Sequence, residues 1–364
     1  MRKILVVIGT RPEAIKMLPL VKELKKRVDF ETFVCNSGQH KDLLLPMFDY
    51  FETKPDFCFD GMREGQGLMT LTARLLGYFD ELFSECEPNI VLVHGDTTTA
   101  FCAALAAFYK SIKIGHVEAG LRTYNKNSPY PEEFNRCAID ALSDYYFTPT
   151  EVSAKRLESE GRAKIFVTGN TVIDAIRTTV RSDYESELLK QAKGRKLVLI
   201  TTHRRENLGE RMSEALLGIK EVLLCRRDVF AIFPTHPNPT VKDTAKEIFA
   251  DVKNIALCEP LSVEDFHNLL FRAYLVLSDS GGIQEEASYL GTPVLLLRDT
   301  TERPELKSCG NVRLVGTSAE RIKKEFLLLL DNDFEYGKMN RATSVCGDGF
   351  ASKRIANLLK KLEW

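Results

Sequence analysis

The chain has 364 residues, 44% hydrophobic and 28% charged, and 50 Lys+Arg against 51 Asp+Glu leave a formal net charge of -1. That length exceeds one ordinary core, so two domains are expected, with the composition of a soluble globular protein. The balanced charge excludes a global attraction to nucleic acid or to an anionic membrane, no apolar run reaches transmembrane length, and any phosphate binding must be local.

Residues 4–8 form a short apolar run of the buried-strand type, Gly9-Thr10-Arg11 a tight turn, and Pro12 starts a helix running to about residue 27. The opening Met1-Arg2-Lys3 mimics a signal start, but the apolar run is too short and Arg11 and Glu13 interrupt it. Residues 30–35 are the next strand and 66–86 a long helical stretch. A strand at 90–94 ends in Gly95-Asp96-Thr97-Thr98-Thr99 before an Ala-rich helix. The strand at 112–117 is followed by Glu118-Ala119-Gly120-Leu121-Arg122 and a polar loop, 123–131. Strands at 145–148 and 164–167 complete this series. A charged, weakly ordered stretch, 177–195, precedes a second series of strands at 197–201, 229–233, 255–258, 275–277, 294–297 and 312–315. An amphipathic helix spans 351–362.

Short apolar strands alternating with helices indicate α/β architecture: two doubly wound Rossmann-like domains facing a central cleft, with ligands at the carboxyl ends of both sheets. The expected division is 1–175, 176–350, and a terminal segment 351–364 that packs back across the domain boundary. There is no internal sequence repeat and no low-complexity tract. Nine scattered cysteines without a C-x-x-C pair point to reduced, buried thiols and a cytoplasmic location.

The second series contains a strand, a glycine turn, a helix and a strand within residues 274–297. Ser280-Gly281-Gly282 brings free N–H groups to a helix start, which favours an anion, and the glycines leave room for a ligand to approach. Glu286, about one turn into that helix, suits a sugar hydroxyl. In the first half, Asp96 and Glu118 each follow a strand directly, on the ligand side of an open sheet. Glu132 stands at a helix start in Pro129-Tyr130-Pro131-Glu132-Glu133. Asp96 could instead cap the helix after it, and Glu132 could complement a helix dipole. Glu118 has no comparable capping role. Three acids converging on one site would suit general acid–base catalysis. Arg11 occupies the first strand–helix turn and Lys16 lies about one turn later, with a solvated face as the alternative for Lys16. His203 follows the first strand of the second series, where phosphate contact is expected. His94 and His116 read as core or supporting groups, and His267 as uninformative. No histidine pair has metal-ligand spacing, so no metal is expected. Gly347-Asp348-Gly349 is far from any strand start, which argues against a nicotinamide cofactor.

These residues resemble the non-hydrolysing UDP-N-acetylglucosamine 2-epimerase family. The matching segments, in order, are GTRPEAIKM (9–17), VLVHGDTTT (91–99), GHVEAGLRT (115–123), SPYPEEFNR (128–136), GNTVIDA (169–175), HRREN (203–207), SDSGGIQEEA (278–287) and LRDTTERPE (297–305). The resemblance implies a glycosyltransferase-B-like fold, usually as a homodimer, and reversible conversion of UDP-GlcNAc to UDP-ManNAc without a cofactor. It implies that Arg11, His203, Ser280, Gly281 and Gly282 hold the diphosphate, Glu286 the ribose, and Leu261 and Phe266 the uracil. Lys16, Arg136 and Arg303 would line the substrate site, and Asp96, Glu118 and Glu132 would be the catalytic acids, with His203 beside them. Gln39, His40 and Gln66 match the region where many relatives bind a second UDP-GlcNAc as activator. Asp42 and Gly65 differ there from some activated relatives, and Ser288-Tyr289, Thr235-His236-Pro237 and Cys346 depart from the usual pattern elsewhere. The competing functions are a glycosyltransferase of the same shape, a hydrolysing epimerase, an epimerase of UDP-diacetamido sugars, and a non-catalytic nucleotide-sugar sensor. The sensor would have no use for Asp96, Glu118 and Glu132 together.

Overall fold

The computed structural model describes residues 1–39, 41–59, 66–202, 204 and 207–364, with only the backbone of 41–43. They fold as two compact units, one formed by Met1–Arg177 with Cys346–Trp364 and the other by Thr178–Val345. The first sheet comprises β1 (Arg2–Ile8), β2 (Phe30–Asn36), β3 (Phe57–Cys58), β4 (Ile90–His94), β5 (Lys113–Val117), β6 (Tyr145–Thr148) and β7 (Ile165–Val167). The second comprises β8 (Lys196–Thr201), β9 (Val229–Pro234), β10 (Ile255–Cys258), β11 (Leu275–Ser278), β12 (Val294–Leu296) and β13 (Val312–Leu314). Their orders are β3-β2-β1-β4-β5-β6-β7 and β10-β9-β8-β11-β12-β13, with every pairing parallel. A parallel sheet covered by helices on both faces buries both sides of each strand, hence runs such as Ile4-Leu5-Val6-Val7-Ile8 with essentially no exposure.

In each sheet the strand order reverses beside its first strand, between β1 and β4 and between β8 and β11. Diverging connections at such a point open a crevice at the strands' carboxyl ends. The turns meeting there are Gly9-Thr10 with Gly95-Asp96 in the first unit, and those carrying Thr202 and Asp279-Ser280 in the second.

Three local readings change. The stretch 177–195 is more ordered than its charge suggested: the helix Thr171–Thr179 reaches into it, and a short helix, Glu187–Gln191, is capped by Ser186, whose side chain accepts from Leu189 N. The helix Lys41–Tyr50 and the two-residue β3 were not anticipated, because Pro46 interrupts the former and the latter is too short to show a period. Among the cysteines, all free, Cys35, Cys86, Cys102 and Cys346 are buried, whereas Cys58, Cys137 and Cys225 are exposed. The terminal helix Ala351–Lys361 packs on the helix Arg11–Lys25, and Asp174 accepts hydrogen bonds from Ala351 N (3.1 Å) and Ser352 N (2.8 Å) at its start. No helix among the described residues is long and apolar enough to cross a membrane.

Candidate functional site

In the first unit the two switch-point turns are joined by Glu13. Its Oε2 accepts from Gly9 N (3.0 Å) and Thr10 N (2.6 Å), and its Oε1 accepts from Thr97 Oγ1 (2.7 Å). Burial pushes this carboxyl up to about 7, against the pull of those donors. Glu13 and Thr10 also form a capping box at the start of the helix Arg11–Lys25, which leaves Arg11, half-buried, as that helix's first residue.

Asp96 is half-buried after β4 and does not cap the next helix. Thr97 does so, accepting from Ala100 N. The Asp96 carboxylate is gripped instead by Arg136, through Nη2 and through Nε at 3.0 Å. Arg136 is buried and also pairs with Glu133 Oε2 at 3.0 Å, while Asn135 Nδ2 donates to the Asp96 carbonyl (2.9 Å). Glu133 is structural, its Oε1 accepting from the backbone N–H groups of Thr123 and Tyr124, both at 2.8 Å. Its neighbour Glu132 opens the helix Glu132–Leu142 and carries a buried Oε2 with no hydrogen-bond partner among the described residues. Leaving such an oxygen unsatisfied costs about 1–3 kcal/mol, which is the mark of a group kept for another purpose.

Glu118 is buried after β5 and has a φ of 66°, the left-handed region that a residue with a side chain adopts at a cost of about 1–2 kcal/mol. Its Oε2 accepts from Lys16 Nζ and from Asn170 Nδ2 (2.6 Å), with His94 Nε2 at 3.6 Å. Lys16 therefore does not lie on a solvated face. It is buried, and the ion pair offsets the desolvation of its ammonium. Burial lowers the pKa of His94, with Glu118 opposing in part, so His94 is a neutral wall of this site. His116 bridges Asp140 Oδ1 (2.6 Å) and the Gly95 carbonyl (2.8 Å), which holds the turn that carries Asp96. Burial alone would raise the Asp140 carboxyl, but His116 and Arg122 outweigh it and keep it low.

In the second unit the corresponding bridge is Asp279, fully buried after β11, whose Oδ2 accepts from Arg204 N (3.0 Å) and Asn207 Nδ2 (3.2 Å). Ser280 is the N-cap of the helix Gly281–Leu290 but makes no side-chain capping bond, so the backbone alone forms that terminus. The two glycines differ. A Cβ on Gly281 would stand 2.4 Å from Glu302 Oε1 and 2.7 Å from Arg303 Nη1, so its smallness is demanded by the unit's own packing. Among the described residues, a Cβ on Gly282 would meet only Glu286 Oε1, at 3.7 Å. Arg303 is buried among acids, with Nε 2.9 Å from Glu285 Oε1 and Nη1 2.6 Å from Glu302 Oε1, and Arg298 Nη1 donates to Glu302 Oε2 at 2.9 Å. Glu286 faces His267, whose Nε2 lies 3.6 Å from Glu286 Oε2 and whose Nδ1 is 2.6 Å from Thr179 Oγ1. Leu261 and Phe266, both half-buried, flank the N-cap Ser262 of the helix Val263–Arg272, and the Phe266 ring stands 6.4 Å from that of His267.

Gln39 Oε1 accepts from Thr99 Oγ1 (2.7 Å), and Gln66 Oε1 is 3.5 Å from Arg74 Nη1. His40 and His203 lie outside the described residues. Sequence reasoning missed Glu13, Asn170, His267 and Asp279 as organising groups. Asn170 did carry a signal, a polar residue just past the end of β7, as Asp96 is past β4 and Glu118 past β5.

Carboxylates clamped at strand ends of one doubly wound sheet, and a glycine-led helix N-terminus after a strand of the other, define a two-unit α/β enzyme. The family model described as UDP-N-acetylglucosamine 2-epimerase matches residues 22–360. A UDP-N-acetylglucosamine 2-epimerase of Bacillus subtilis (strain 168) is 48% identical over 359 residues, covering 98% of this chain and 94% of the relative. The crystal structure of the UDP-GlcNAc 2-epimerase from Neisseria meningitidis bound to UDP-GlcNAc superposes with a TM-score of 0.95 at 42% identity, over 99% of this chain and 100% of that one. The S. aureus MnaA–UDP structure gives a TM-score of 0.96 at 42% identity, over 99% and 96%. The chain belongs to the UDP-N-acetylglucosamine 2-epimerase family.

Proposed function

We propose that this chain interconverts UDP-GlcNAc and UDP-ManNAc by inversion at C2, through elimination of UDP and its re-addition. The observation that carries the proposal is the set Asp96, Glu118 and Glu132, two of them held by a buried cation and the third with a buried oxygen that has no partner among the described residues. The C2 hydrogen of the pyranose has no adjacent carbonyl, so direct deprotonation is very costly. In the proposed route one carboxylate takes the C2 proton, the C2–H electron pair becomes the C1–C2 double bond, and the C1–O bond to UDP breaks with its electrons leaving on the diphosphate. The glycal is then protonated at C2 on the opposite face while the diphosphate oxygen rebuilds the bond to C1. Such a route needs acid–base groups on both faces of C2, which three acids supply better than one.

The proposal takes Asp96, Glu118 and Glu132 from the first unit as acid–base groups, with Arg11, Lys16 and Arg136 as the cations that offset developing charge. From the second unit it takes Ser280, Gly281, Gly282 and His203 for the diphosphate, Glu286 for the ribose, Leu261 and Phe266 for the uracil, and Arg303 beneath the glycine turn. Preorganised dipoles and charges on the leaving group keep UDP bound until it adds back. The proposal extends to a cytoplasmic homodimer, and to activation by a second UDP-GlcNAc near Gln39, His40 and Gln66. Activation would appear as a lag with UDP-ManNAc alone that added UDP-GlcNAc abolishes.

Incubation with UDP-GlcNAc in D2O, followed by NMR, tests the reaction. Deuterium is expected at C2 of both UDP-sugars, with little lasting free UDP. Isomer formation without deuterium, or steady release of ManNAc, would overturn it.

A further inference from the structure

Asn170 lies just beyond β7, is 2% exposed, and is held from three directions. Its Oδ1 accepts from Val172 N (3.0 Å), its backbone N–H donates to the Cys346 carbonyl (2.6 Å), and its Nδ2 donates to Glu118 Oε2 (2.6 Å). The first contact decides which way the amide points. Because an N–H from Val172 must meet an oxygen, the amide nitrogen is the atom left to face Glu118. The second contact explains why the turn cannot drift. The returning segment packs so closely that a Cβ on Gly169, itself at φ +87, would stand 2.9 Å from Gly347 Cα. One turn further along, Asp174 caps the terminal helix through Ala351 N and Ser352 N.

Among the described residues, Glu118 Oε2 thus receives two groups that only donate, the Asn170 amide nitrogen and the Lys16 ammonium. An oxygen so engaged cannot also carry a proton aimed at either partner, and His94 Nε2, at 3.6 Å, stands beyond hydrogen-bond reach of it, so a proton on Glu118 resides on Oε1. The position of a Cβ on Gly95 lies 3.8 Å from that Oε1, which places Oε1 beside the turn leading into Asp96. Gly95, at φ +63, carries no side chain there. The two donors differ in kind. Lys16 favours the ionised carboxylate, whereas the neutral amide grips Oε2 in either protonation state and so keeps the geometry constant through a proton-transfer cycle.

We infer that Asn170 is a positioning residue for the epimerisation, holding Glu118 Oε2 so that the C2 proton is carried on Oε1. The inference rests on the reading of Glu118 as an acid–base group, and the test separates the two. Turnover, C2 deuterium exchange and UDP affinity are measured for Asn170→Ala, Glu118→Gln and the double variant. Asn170→Ala is expected to cut turnover and exchange by about 10²-fold, the scale set by misplacing a reacting group by an ångström, with UDP affinity unchanged. In the Glu118→Gln background the same change should cost little more, because it acts through that carboxylate. Asn170→Asp keeps the acceptor for Val172 N, so it preserves the turn while placing a second carboxyl against Glu118. Like charges raise the apparent pKa of the pair, so the acidic limb of the turnover–pH profile should move to higher pH. Normal turnover in Asn170→Ala, full multiplicative loss in the double variant, or an unmoved acidic limb in Asn170→Asp would each overturn the inference while leaving Glu118 in place. Normal turnover in Glu118→Gln would overturn the acid assignment itself, and this inference with it.

Discussion

The two sheets run in the same order, the first with one strand more at its end, yet under the proposed function their switch points serve different tasks. In each, one buried carboxylate ties the two diverging turns together: Glu13 reaches Gly9, Thr10 and Thr97, and Asp279 reaches Arg204 and Asn207. Beyond that bridge they part. The first unit sets carboxylates at the ends of β4 and β5 and gives each a cationic partner, Arg136 for Asp96 and Lys16 for Glu118. The second spends its acids inside, where Glu285 and Glu302 surround Arg303 and Arg298, and presents a helix start made of backbone. Acid–base chemistry needs titratable side chains whose position is held and whose charge can change. Anion binding needs fixed dipoles that do not titrate. Under the proposed function one topology serves both, because the switch point supplies only the crevice.

The largest expected effect tests the chemical half of this contrast. Asp96→Asn should lower turnover by about 10²–10⁴-fold, the range for losing a general acid or base, with little change in UDP affinity by calorimetry. Its thermal midpoint should hold, since Arg136 keeps Glu133. A matching loss of UDP binding would erase the division of labour. In the second unit, Arg303→Ala leaves Glu285 and Glu302 without that cation and should cost about 3–5 kcal/mol in urea unfolding. Unchanged stability with impaired turnover would move Arg303 from the internal network to direct substrate contact.

The bridges can be compared through pH. Glu13 has a folded-state pKa of about 7 against 4.5 for the unfolded chain, so the native state holds that proton more tightly. Its contribution is complete below 4.5 and is lost as the pH rises through 7. Glu13→Gln should remove that decline, a difference of at most about 3.5 kcal/mol at about 1.4 kcal/mol per pKa unit. An unchanged slope between the two variants would show that the carboxylate stays ionised across the window. The smallest effects sharpen the anion half. Gly281→Ala should cost about 1–3 kcal/mol through overpacking against Glu302 and Arg303. Gly282→Ala should stay within about 0.5 kcal/mol in stability but weaken UDP binding, and equal stability losses would mean the glycines are not distinct.

Apart from β3, the strands were legible to within a residue or two, since a doubly covered parallel sheet demands unbroken apolar runs, as at β4, which was read without error. Asp96 and Glu118 were legible as strand-end residues because those runs stop at His94 and Val117. Their partners were not, because Arg136 is 40 residues from Asp96, Lys16 is 102 from Glu118, and Asn170 is 52 from Glu118. The solvated reading of Lys16 failed for the same reason: a helix pattern shows which face a lysine occupies but not that a buried carboxylate waits across the sheet. His267 carried no signal at all until Thr179 and Glu286 were found against its two nitrogens.

What the sequence by itself determined was the α/β alternation and the places where strands end, which are written in local apolar periodicity and turn chemistry, and the ordered motifs whose resemblance marks the family. Tertiary structure alone decided which donor grips which carboxylate, which glycine is small for packing's sake, and that Lys16 and Asn170 share one oxygen of Glu118. Those are contacts between segments far apart in the chain, and their energies depend on distances that exist only once both sheets have closed.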